Sequence, residues 1–350
     1  MIIKTLFQLL VAVFSLLVAL PVWAGQLVVD ILDVGQGDAI LISTDEKTVL
    51  IDAADRHVDL VDQLKLLGVE TLDLVVGTHA HADHIGRMED VLRTFDVKLY
   101  MDSGLPHTTA VYSNTMAAVE DEGIPYKTAK GGTILNLGDE AIFTVLSPPP
   151  EGLLSGTRSD LNSNSVVLLL EHEDISFLFT GDAEEPTEHY LLQTGIGEVD
   201  VLKVAHHGSG HSSTLDFLEV VHPDVGLISV GEGNRYKHPY PECLERLDQV
   251  GAQVYRTDLS GHLRVISDGS NFEVFEGRLE EILGIDFVEG PVVVDETPDE
   301  EEPPDADTPP AESKKAAKLA RKAEKLRKKA EKLRRKAELL EQQARELMPK

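Results

Sequence analysis

The sequence is poor in cysteine, since Cys243 is the single one among its 350 residues. An intrachain disulfide needs two cysteines, so none can form and the core must hold itself together without crosslinks. A small, disulfide-stapled scaffold is therefore excluded. A chain of this length is long enough to bury a large core, arranged as one large or two ordinary domains.

Basic residues are also scarce, and they are unevenly placed. The chain has 32 Lys and Arg against 61 Asp and Glu, and 15 of the 32 lie between Lys314 and Lys350, where five Glu oppose them. The net charge of −29 therefore divides into about +10 for this tail and −39 for the remainder. The acidic body should repel polyanions at long range, whereas the tail should attract them.

Long apolar runs are nearly absent, and the exception is the segment from Leu6 to Leu20. It follows Lys4 and precedes a small-residue site at 22–24, a pattern that predicts a signal peptide at residues 1–24. An uncleaved anchor is the alternative, although the run is slightly short for a span. Export without disulfides predicts a bacterial periplasmic or secreted protein. No series of membrane spans follows, so we do not expect the chain to form a channel.

Beyond residue 25, short β-branched strands alternate with segments of helical periodicity, which predicts an α/β architecture. Predicted strands include residues 26–31, 39–42, 48–51, 72–76, 166–170, 175–179, 200–204 and 225–230. Predicted helices include residues 58–67, 85–95, 184–192 and 241–250.

Three of these apolar strands are followed by residues that bind metals well. The first precedes a short turn with His79, His81, Asp83 and His84; the second ends in Asp182; the third precedes His206 and His207. Imidazole nitrogen and carboxylate oxygen suit Zn²⁺, Mn²⁺ or Fe²⁺. A single strand-end Asp is often only the N-cap of the next helix. The coincidence of three such strand ends predicts a metal centre.

Several further segments carry polar residues beside predicted strands. The turn Asp33–Asp38 has two glycines that can bring backbone and carboxylates close to a site. The segment Asn162–Ser165 caps a strand or lines a pocket, and these two alternatives stay open. His238, in the loop 231–239, is a candidate acid or base facing the substrate, with a purely structural role as the alternative. Arg87 either reaches a phosphate or points to solvent.

The motif His79-x-His81-x-Asp83-His84, followed by Asp182 and then His206-His207, resembles the metallo-β-lactamase fold superfamily. More narrowly, the chain resembles the metallo-hydrolase domain of ComEC-type DNA-uptake proteins over residues 25–278. The segments that carry the narrower resemblance are Asp33–Asp38, Asn162–Ser165, Thr180–Asp182, Leu202–Ser209 and Asn234–Pro239.

The resemblance implies an αββα sandwich with one or two divalent metal ions, Zn or Mn, at one edge of paired sheets. One metal would be held by His79 and His81. The other would be held by Asp83, His84 and one member of the His206-His207 pair. Asp182 would bridge the two metals.

Three differences from related families bear on this expectation. The lactamase and glyoxalase branches take a further ligand from a Gly-His turn between the positions of Asp83 and Asp182, and here only His107 and His172 lie in that interval besides His84. Their absence from such a turn argues against those branches. ComEC-type loops commonly carry Asp at the place of His81, and Arg87 stands where a second glycine is usual.

The leading prediction is a secreted metal-dependent phosphodiesterase or nuclease that attacks with a metal-bound hydroxide. Asp83 would position the nucleophile, and His238 or the non-ligand member of the His206-His207 pair would protonate the leaving group. Donors to the substrate are expected from Arg87, Asn162, Asn164, Ser165 and Ser209. Two alternatives stay open: a hydrolase of another ester or amide, such as an envelope phosphocholine ester, a lactone or a β-lactam, and a non-catalytic DNA-binding or envelope-binding protein.

The C-terminal part differs from the hydrolase domain, which is predicted at residues 25–290. Residues 291–313 are rich in Asp, Glu and Pro and predict a disordered acidic linker. Residues 314–350 repeat Ala and Leu at heptad spacing and predict a basic helix. Three partners remain open for this helix: a second copy in a coiled coil, a polyanion such as nucleic acid, or an anionic membrane surface.

Overall fold

The computed structural model describes residues 25–138 and 141–285. The predicted signal peptide, acidic linker and basic helix lie outside these residues, as does the end of the predicted hydrolase domain. Within the described part of the chain, no helix is long and apolar enough to cross a membrane.

Seventeen strands and ten α-helices make up this part of the chain. The strands are β1 (Leu27–Ile31), β2 (Ile40–Ser43), β3 (Thr48–Ile51), β4 (Thr71–Leu72), β5 (Leu74–Gly77), β6 (Asp96–Val97), β7 (Tyr100–Asp102), β8 (Tyr126–Thr128), β9 (Ile134–Asn136), β10 (Ala141–Ser147), β11 (Val167–His172), β12 (Ile175–Phe179), β13 (Val201–Lys203), β14 (Val225–Ile228), β15 (Gln253–Arg256), β16 (His262–Ser267) and β17 (Phe272–Gly277). The helices are α1 (Leu60–Leu66), α2 (Ala82–Ile85), α3 (Met88–Thr94), α4 (Ala110–Asp121), α5 (Asp160–Ser163), α6 (Glu185–Thr194), α7 (Leu215–Val221), α8 (Pro241–Gln249), α9 (Thr257–Ser260) and α10 (Leu279–Ile282).

Two large sheets organise these elements. The first has eight strands in the order β17-β16-β1-β2-β3-β5-β7-β8, and the second has seven in the order β15-β14-β13-β12-β11-β10-β9. A small parallel pair, β4 and β6, stands apart. In the first sheet β3, β5, β7 and β8 are parallel, and in the second β12 to β15 are parallel. The remaining pairs are antiparallel.

The alternation of side chains along the strands builds four layers. On β3, Val49 and Ile51 join a core shared with the second sheet, while Leu50 points to the core that includes residues of α1, α3 and α4. On β12, Phe177 lies in the shared core and Leu178 in the core that includes residues of α6, α7 and α8. Successive residues of a strand face opposite sides of its sheet, so strands buried on both sides read as continuous apolar runs. The predicted αββα sandwich is confirmed.

One predicted helix differs in the structure. The periodicity of residues 85–95 predicts a single helix, but α2 ends at Ile85 and α3 begins at Met88. The backbone N–H groups of Gly86 and Arg87 donate to the carbonyls of Ala54 and Ala53. These bonds anchor the segment to the loop after β3 and replace helical hydrogen bonds at the break.

The carboxyl ends of the parallel strands in both sheets lie at the edge where the two sheets are joined. The amide of Val166 donates to the carbonyl of Thr78 at 2.9 Å, which links the residue after β5 to the residue before β11. Gly181 follows β12 with φ +51°, and a Cβ there would lie 2.9 Å from Thr78 Cβ. Only glycine permits this approach without displacing the neighbouring chain. It brings the loops after β5 and β12 together.

Candidate metal centre

Histidine and aspartate side chains from the segments after three strands, β5, β12 and β13, meet at this edge. His79 and His81 follow β5, Asp83 and His84 lie in α2, Asp182 follows β12, and His206 and His207 follow β13. The structure thus brings together all seven side chains that the sequence predicts as metal ligands. Their role as ligands stays a prediction.

The more deeply buried half of the cluster contains His84, His207, Asp83 and one oxygen of Asp182. His84 Nε2 lies 3.2 Å and His207 Nε2 3.6 Å from Asp182 Oδ1, and His207 Nε2 lies 3.5 Å from Asp83 Oδ2. Ligands at 2.0–2.2 Å from a tetrahedral zinc ion are about 3.3–3.6 Å apart, so these spacings suit such an ion.

Unsatisfied polar atoms give a second test of fit. His84 Nε2, His207 Nε2 and Asp182 Oδ1 are buried and have no hydrogen-bond partner among the described residues. Three converging buried atoms without partners are costly unless a cation or an ordered water lies between them. The nitrogen and oxygen donor set fits a divalent metal such as zinc.

The other half of the cluster surrounds the second oxygen of Asp182. His79 Nε2 and His206 Nε2 lie 3.8 Å and 3.6 Å from Asp182 Oδ2, and His81 Nδ1 lies 2.9 Å from His79 Nε2. The two oxygens of Asp182 thus face two groups of imidazole nitrogens. This arrangement is the one that a carboxylate bridging two metal ions requires.

Buried carboxylates and carbonyls fix the far side of the inner imidazole rings. Asp52 Oδ2 accepts from His84 Nδ1 at 2.7 Å and also accepts from the Thr78 hydroxyl at 2.7 Å. His207 Nδ1 donates to the Ser229 carbonyl at 2.9 Å. With Nδ1 as the donor, Nε2 of each ring is directed at the cluster, where it could bind a metal on losing its proton. Partners of this kind set the tautomer and orientation of metal-binding histidines.

An ion pair lies directly beneath the cluster. Lys203 Nζ is 2.7 Å from Asp38 Oδ2, and both side chains are 1% exposed. The other oxygen of Asp38 lies 3.5 Å from His207 Nδ1. Lys203 therefore balances a buried carboxylate that also faces the metal centre.

Electrostatics make the metal-free cluster a site for cations. Burial opposes protonation of His84, but the facing carboxylates, led by Asp182, raise its pKa well above the usual value. The same competition raises the pKa of His207 to about 10, because Asp182 and Asp38 outweigh burial. Burial would raise the pKa of Asp182, yet the surrounding imidazoles hold it well below the usual range. Protonated imidazoles thus balance the charge of the carboxylates, and a metal ion would replace the protons on those imidazoles.

His79 and His206 have the opposite shift. Burial lowers the pKa of His79, and the neighbouring imidazoles of His84 and His81 lower it further. Burial also lowers the pKa of His206, against the pull of Asp182. Both rings are therefore neutral near pH 7, the form that binds a metal.

The structure distinguishes between the two adjacent histidines. Both have left-handed backbones, with φ of 50° at His206 and 52° at His207, so their side chains leave the chain in different directions. His207 is 1% exposed and faces Asp83 and Asp182. His206 is 13% exposed, and its Nδ1 lies 3.7 Å from Glu184 Oε1.

Two further histidines lie beside rings of the cluster. The His238 ring lies 5.5 Å from the His206 ring and 6.4 Å from the His207 ring, measured between centroids. The His107 ring lies 6.3 Å from the His81 ring. His238 was predicted to face a substrate, and its placement is compatible with that role. His107 was not predicted as a site residue, because nothing in its polar segment indicates contact with a distant turn.

The five predicted substrate-binding residues have different surroundings. Asn162 donates to Glu184 beside the cluster. The side chain of Asn164 bonds to the backbone of residues 154 and 160, and the Ser165 and Ser209 hydroxyls accept from the amides of residues 182 and 211. Arg87 donates to the Val58 carbonyl and to Asp90, and its described contacts include no member of the cluster. The binding roles stay predictions.

Five residues around the cluster were not singled out from the sequence as members of the site. They are Asp38, Asp52, Arg158, Glu184 and Lys203. Asp52 carried a usable signal, since it ends an apolar strand as Asp182 does. Asp38 lies in the Gly-rich turn whose carboxylates were expected near a site. Arg158, Glu184 and Lys203 gave no such signal, because their contacts depend on distant partners.

Comparison with known proteins identifies one family and several relatives. The family model for the metallo-beta-lactamase superfamily matches residues 32–232. ComE operon protein 3 of Bacillus subtilis is 30% identical over 274 residues, covering 72% of this chain and 34% of the relative. Recombination protein 2 of Haemophilus influenzae is 32% identical over 270 residues, covering 74% of this chain and 30% of the relative.

The chain thus spans about a third of the length of these curated relatives. Among solved structures, the metallo-beta-lactamase fold protein YhfI of Bacillus subtilis matches with a TM-score of 0.44 and 10% identity, covering 66% of this chain and 95% of that chain.

Proposed function

The chain belongs to the metallo-β-lactamase superfamily, and on this premise we propose that it is a metal-dependent phosphodiesterase. The observation that carries the proposal is the position of Asp182 between two groups of imidazole nitrogens, with its Oδ1 buried and unsatisfied. A two-metal centre suits in-line displacement at phosphorus, because it stabilises both the attacking and the leaving oxygen. One relative is named a recombination protein, which favours a nucleic-acid substrate.

The proposed ligands follow from the two halves of the cluster. His79, His81 and Asp182 Oδ2 would hold one divalent metal, and Asp83, His84, His207 and Asp182 Oδ1 would hold the other. Zinc and manganese are the proposed ions. When bound, such ions would lower the pKa of a coordinated water and offset negative charge on the substrate.

The side chains that reach solvent would act on the substrate. Asp83 is 25% exposed while its oxygen faces His207, so it would both hold metal and orient the attacking water. His206 is 13% exposed, and we propose that its ring, neutral at rest, accepts a proton from solvent and delivers it from Nε2 to the leaving oxygen while Nδ1 faces Glu184. His238, packed against His206, is the alternative proton donor.

The test is a substrate panel on protein stripped of metal and reloaded with Zn²⁺ or Mn²⁺ in turn. Bis-p-nitrophenyl phosphate should be cleaved by the reloaded protein, and activity should disappear with chelator and in Asp83→Ala. Asp33→Ala is the matched control, since Asp33 lies in the nearby turn but bonds to the Gly35 amide and is exposed. Turnover of nitrocefin without phosphodiesterase activity would overturn the proposal in favour of a lactam hydrolase. Absence of bound metal after reloading would favour a non-catalytic binding protein.

We also propose that residues 1–24 direct export and that residues 314–350 bind a polyanion, an anionic membrane surface or a second copy of the chain. The apolar run Leu6–Leu20 and its small-residue site support export, and the charge and heptad pattern of residues 314–350 supports the binding roles. Deleting residues 314–350 should abolish DNA retention in a gel shift if the helix binds polyanions. It should instead halve the mass measured by light scattering if the helix forms a dimeric coiled coil.

A further inference from the structure

A buried carboxylate outside the proposed ligand set faces one histidine of the metal centre. Glu184 is 2% exposed, and its Oε1 lies 3.7 Å from His206 Nδ1. That nitrogen is itself buried and has no hydrogen-bond partner among the described residues. On the opposite side of the same ring, Nε2 lies 3.6 Å from Asp182 Oδ2. The imidazole of His206 therefore lies between a carboxylate of the metal centre and a second carboxylate behind it.

Glu184 is held in place independently of His206. Its Oε1 accepts from Asn162 Nδ2 at 3.2 Å and from the Arg158 guanidinium at 2.8 Å. Its backbone lies at the N-cap of α6. These contacts account for the burial of the Glu184 carboxylate, but they leave His206 Nδ1 without a partner. The oxygen that faces His206 is thus fixed before a substrate arrives.

The backbone of His206 is fixed as well. Its amide donates to the carbonyl of Gly181 at 3.0 Å, and its carbonyl accepts from the amide of Ser209 at 2.8 Å. Only rotation of the side chain is left to orient the ring. A contact at Nδ1 therefore decides where Nε2 points.

The contact between Glu184 and His206 also bears on the tautomer of the ring. The spacing of 3.7 Å exceeds the usual N–H···O length of about 2.9 Å. Hydrogen bonds of catalytic side chains are often long without substrate and shorten when it binds. A ring nitrogen that donates to a carboxylate carries the proton, so the other nitrogen keeps its lone pair. Glu184 would in this way direct the lone pair of Nε2 toward the metal centre.

We propose that Glu184 is a positioning residue that orients the imidazole of His206 and holds it in the Nδ1–H tautomer. This inference rests on the proposed phosphodiesterase function, and it selects His206 over His238 as the proton donor. In the step concerned, a water oxygen bonds to phosphorus, the bond from phosphorus to the leaving oxygen breaks, and a proton passes from His206 Nε2 to the leaving oxygen. The attacking water releases a proton to solvent, which replaces the one that His206 took up.

The first experiment compares two phosphodiesters whose leaving oxygens differ in their need for a proton. The leaving group of methyl p-nitrophenyl phosphate is a stable anion near neutral pH, whereas that of methyl phenyl phosphate is more basic. In the zinc-loaded protein, Glu184→Gln should lower kcat for the phenyl substrate roughly 10- to 100-fold and kcat for the nitrophenyl substrate less than about threefold. KM should stay unchanged for both substrates, and His206→Ala should show the same selectivity with a larger loss. Glu185→Gln is the matched control, since Glu185 is the exposed neighbour of Glu184 in the chain, and it should change neither value.

A double variant separates this role from a general loss of structure. If Glu184 acts through His206, Glu184→Gln/His206→Ala should cleave the phenyl substrate no more slowly than His206→Ala does. Glu184→Asp keeps a carboxylate and should recover part of the loss. The zinc content of each variant should match wild type.

A measurement on the ring itself does not depend on turnover. Nuclear magnetic resonance of the zinc-loaded protein, with histidine nitrogens isotopically labelled, reports which ring nitrogen carries the proton. The signals that disappear in His206→Ala identify this ring. Wild type should carry the proton on Nδ1, and in Glu184→Gln part of the population should carry it on Nε2.

The outcomes identify which proposal fails. Equal losses on the two substrates, additive losses in the double variant, or a wild-type proton on Nε2 would overturn the role of Glu184. Wild-type protein that cleaves only the nitrophenyl substrate would also overturn it, because no proton donor would then act. So would loss of a zinc ion from His206→Ala, since His206 would then be a ligand. Wild-type protein that cleaves neither diester but carries the proton on Nδ1 would overturn the proposed function and leave the pairing of Glu184 with His206 standing.

Discussion

Replacing Lys203 with methionine tests the ion pair beneath the metal centre. Lys203 Nζ and Asp38 Oδ2 are 2.7 Å apart, and both side chains are 1% exposed. Methionine keeps the length of the side chain but leaves the Asp38 carboxylate buried without its partner. Loss of one partner of a buried pair costs about 3–5 kcal/mol of unfolding free energy. For a domain of this size, the thermal midpoint should fall by roughly 6–20 °C.

The assay is thermal unfolding of the metal-stripped protein at pH 7, followed by circular dichroism. Lys47→Met is the matched control, because Lys47 Nζ also lies 2.7 Å from an aspartate oxygen, that of Asp73, but the two side chains are 40% and 23% exposed. Solvent screens that pair, so its loss should have little effect. Adding Asp38→Asn to Lys203→Met should restore most of the loss, since no unpaired charge remains.

Low pH should also reduce the loss of thermal stability that Lys203→Met causes. The pKa of the Asp38 carboxyl, despite burial, is held below its usual range chiefly by Lys203. Without the ammonium, the carboxyl should accept a proton more readily, so the difference from wild type should shrink as pH falls. A midpoint shift no larger than that of Lys47→Met, or a double variant as unstable as the single one, would refute the reasoning.

Three further predictions concern titratable groups. The pKa of His207 is raised to about 10 and that of His84 is raised well above its usual value, so zinc must displace their protons to bind. The affinity for zinc should therefore rise about tenfold per pH unit for each proton released. Competition with a chelator at pH 6 to 8 measures this. Burial raises the pKa of the Cys243 thiol to about 11, so an alkylating reagent should modify it at pH 8 only after the protein is denatured. Rapid modification of the native protein would contradict this burial. Burial raises the pKa of Glu188 from 4.5 to about 6 in spite of its donors from residues 213 and 214. The stability that protonated Glu188 contributes, about 2 kcal/mol, is therefore present below pH 4.5 and is lost as pH rises through 6. In Glu188→Gln this part of the pH dependence, measured by urea unfolding, should be absent.

The layers and the convergence of the candidate metal ligands were predictable because their sequence signals are local. A strand buried on both faces reads as an apolar run, and residues directly after such runs lie at one sheet edge. Asp182 and the His206-His207 pair could therefore be assigned to the same edge as His79 before any contact was known. The same logic would have included Asp52, which also follows an apolar strand.

The surroundings of these residues were not predictable, because they depend on long-range contacts. Lys203 ends a buried strand, where a lysine gives no indication of its partner, and Asp38 lies 165 residues away in the chain. Arg158 lies in a loop of small polar residues, and its contact with Glu184 spans 26 residues. Arg87 directs its guanidinium to Val58 and Asp90, since its backbone is fixed by the loop after β3.

The pairing of β1 with β16 has a consequence for biosynthesis. These strands lie side by side in the first sheet, and Asp30 on one bonds to Arg264 on the other across 234 residues of chain. β2 can pair with one side of β1 early, but the other side of β1 lacks its neighbour until almost the whole described domain has been made. Such distant pairing slows folding and leaves strand edges exposed in the nascent chain. Completion of the sheet must follow synthesis, so a chain interrupted before residue 262 would leave β1 as an exposed edge strand, paired only with β2.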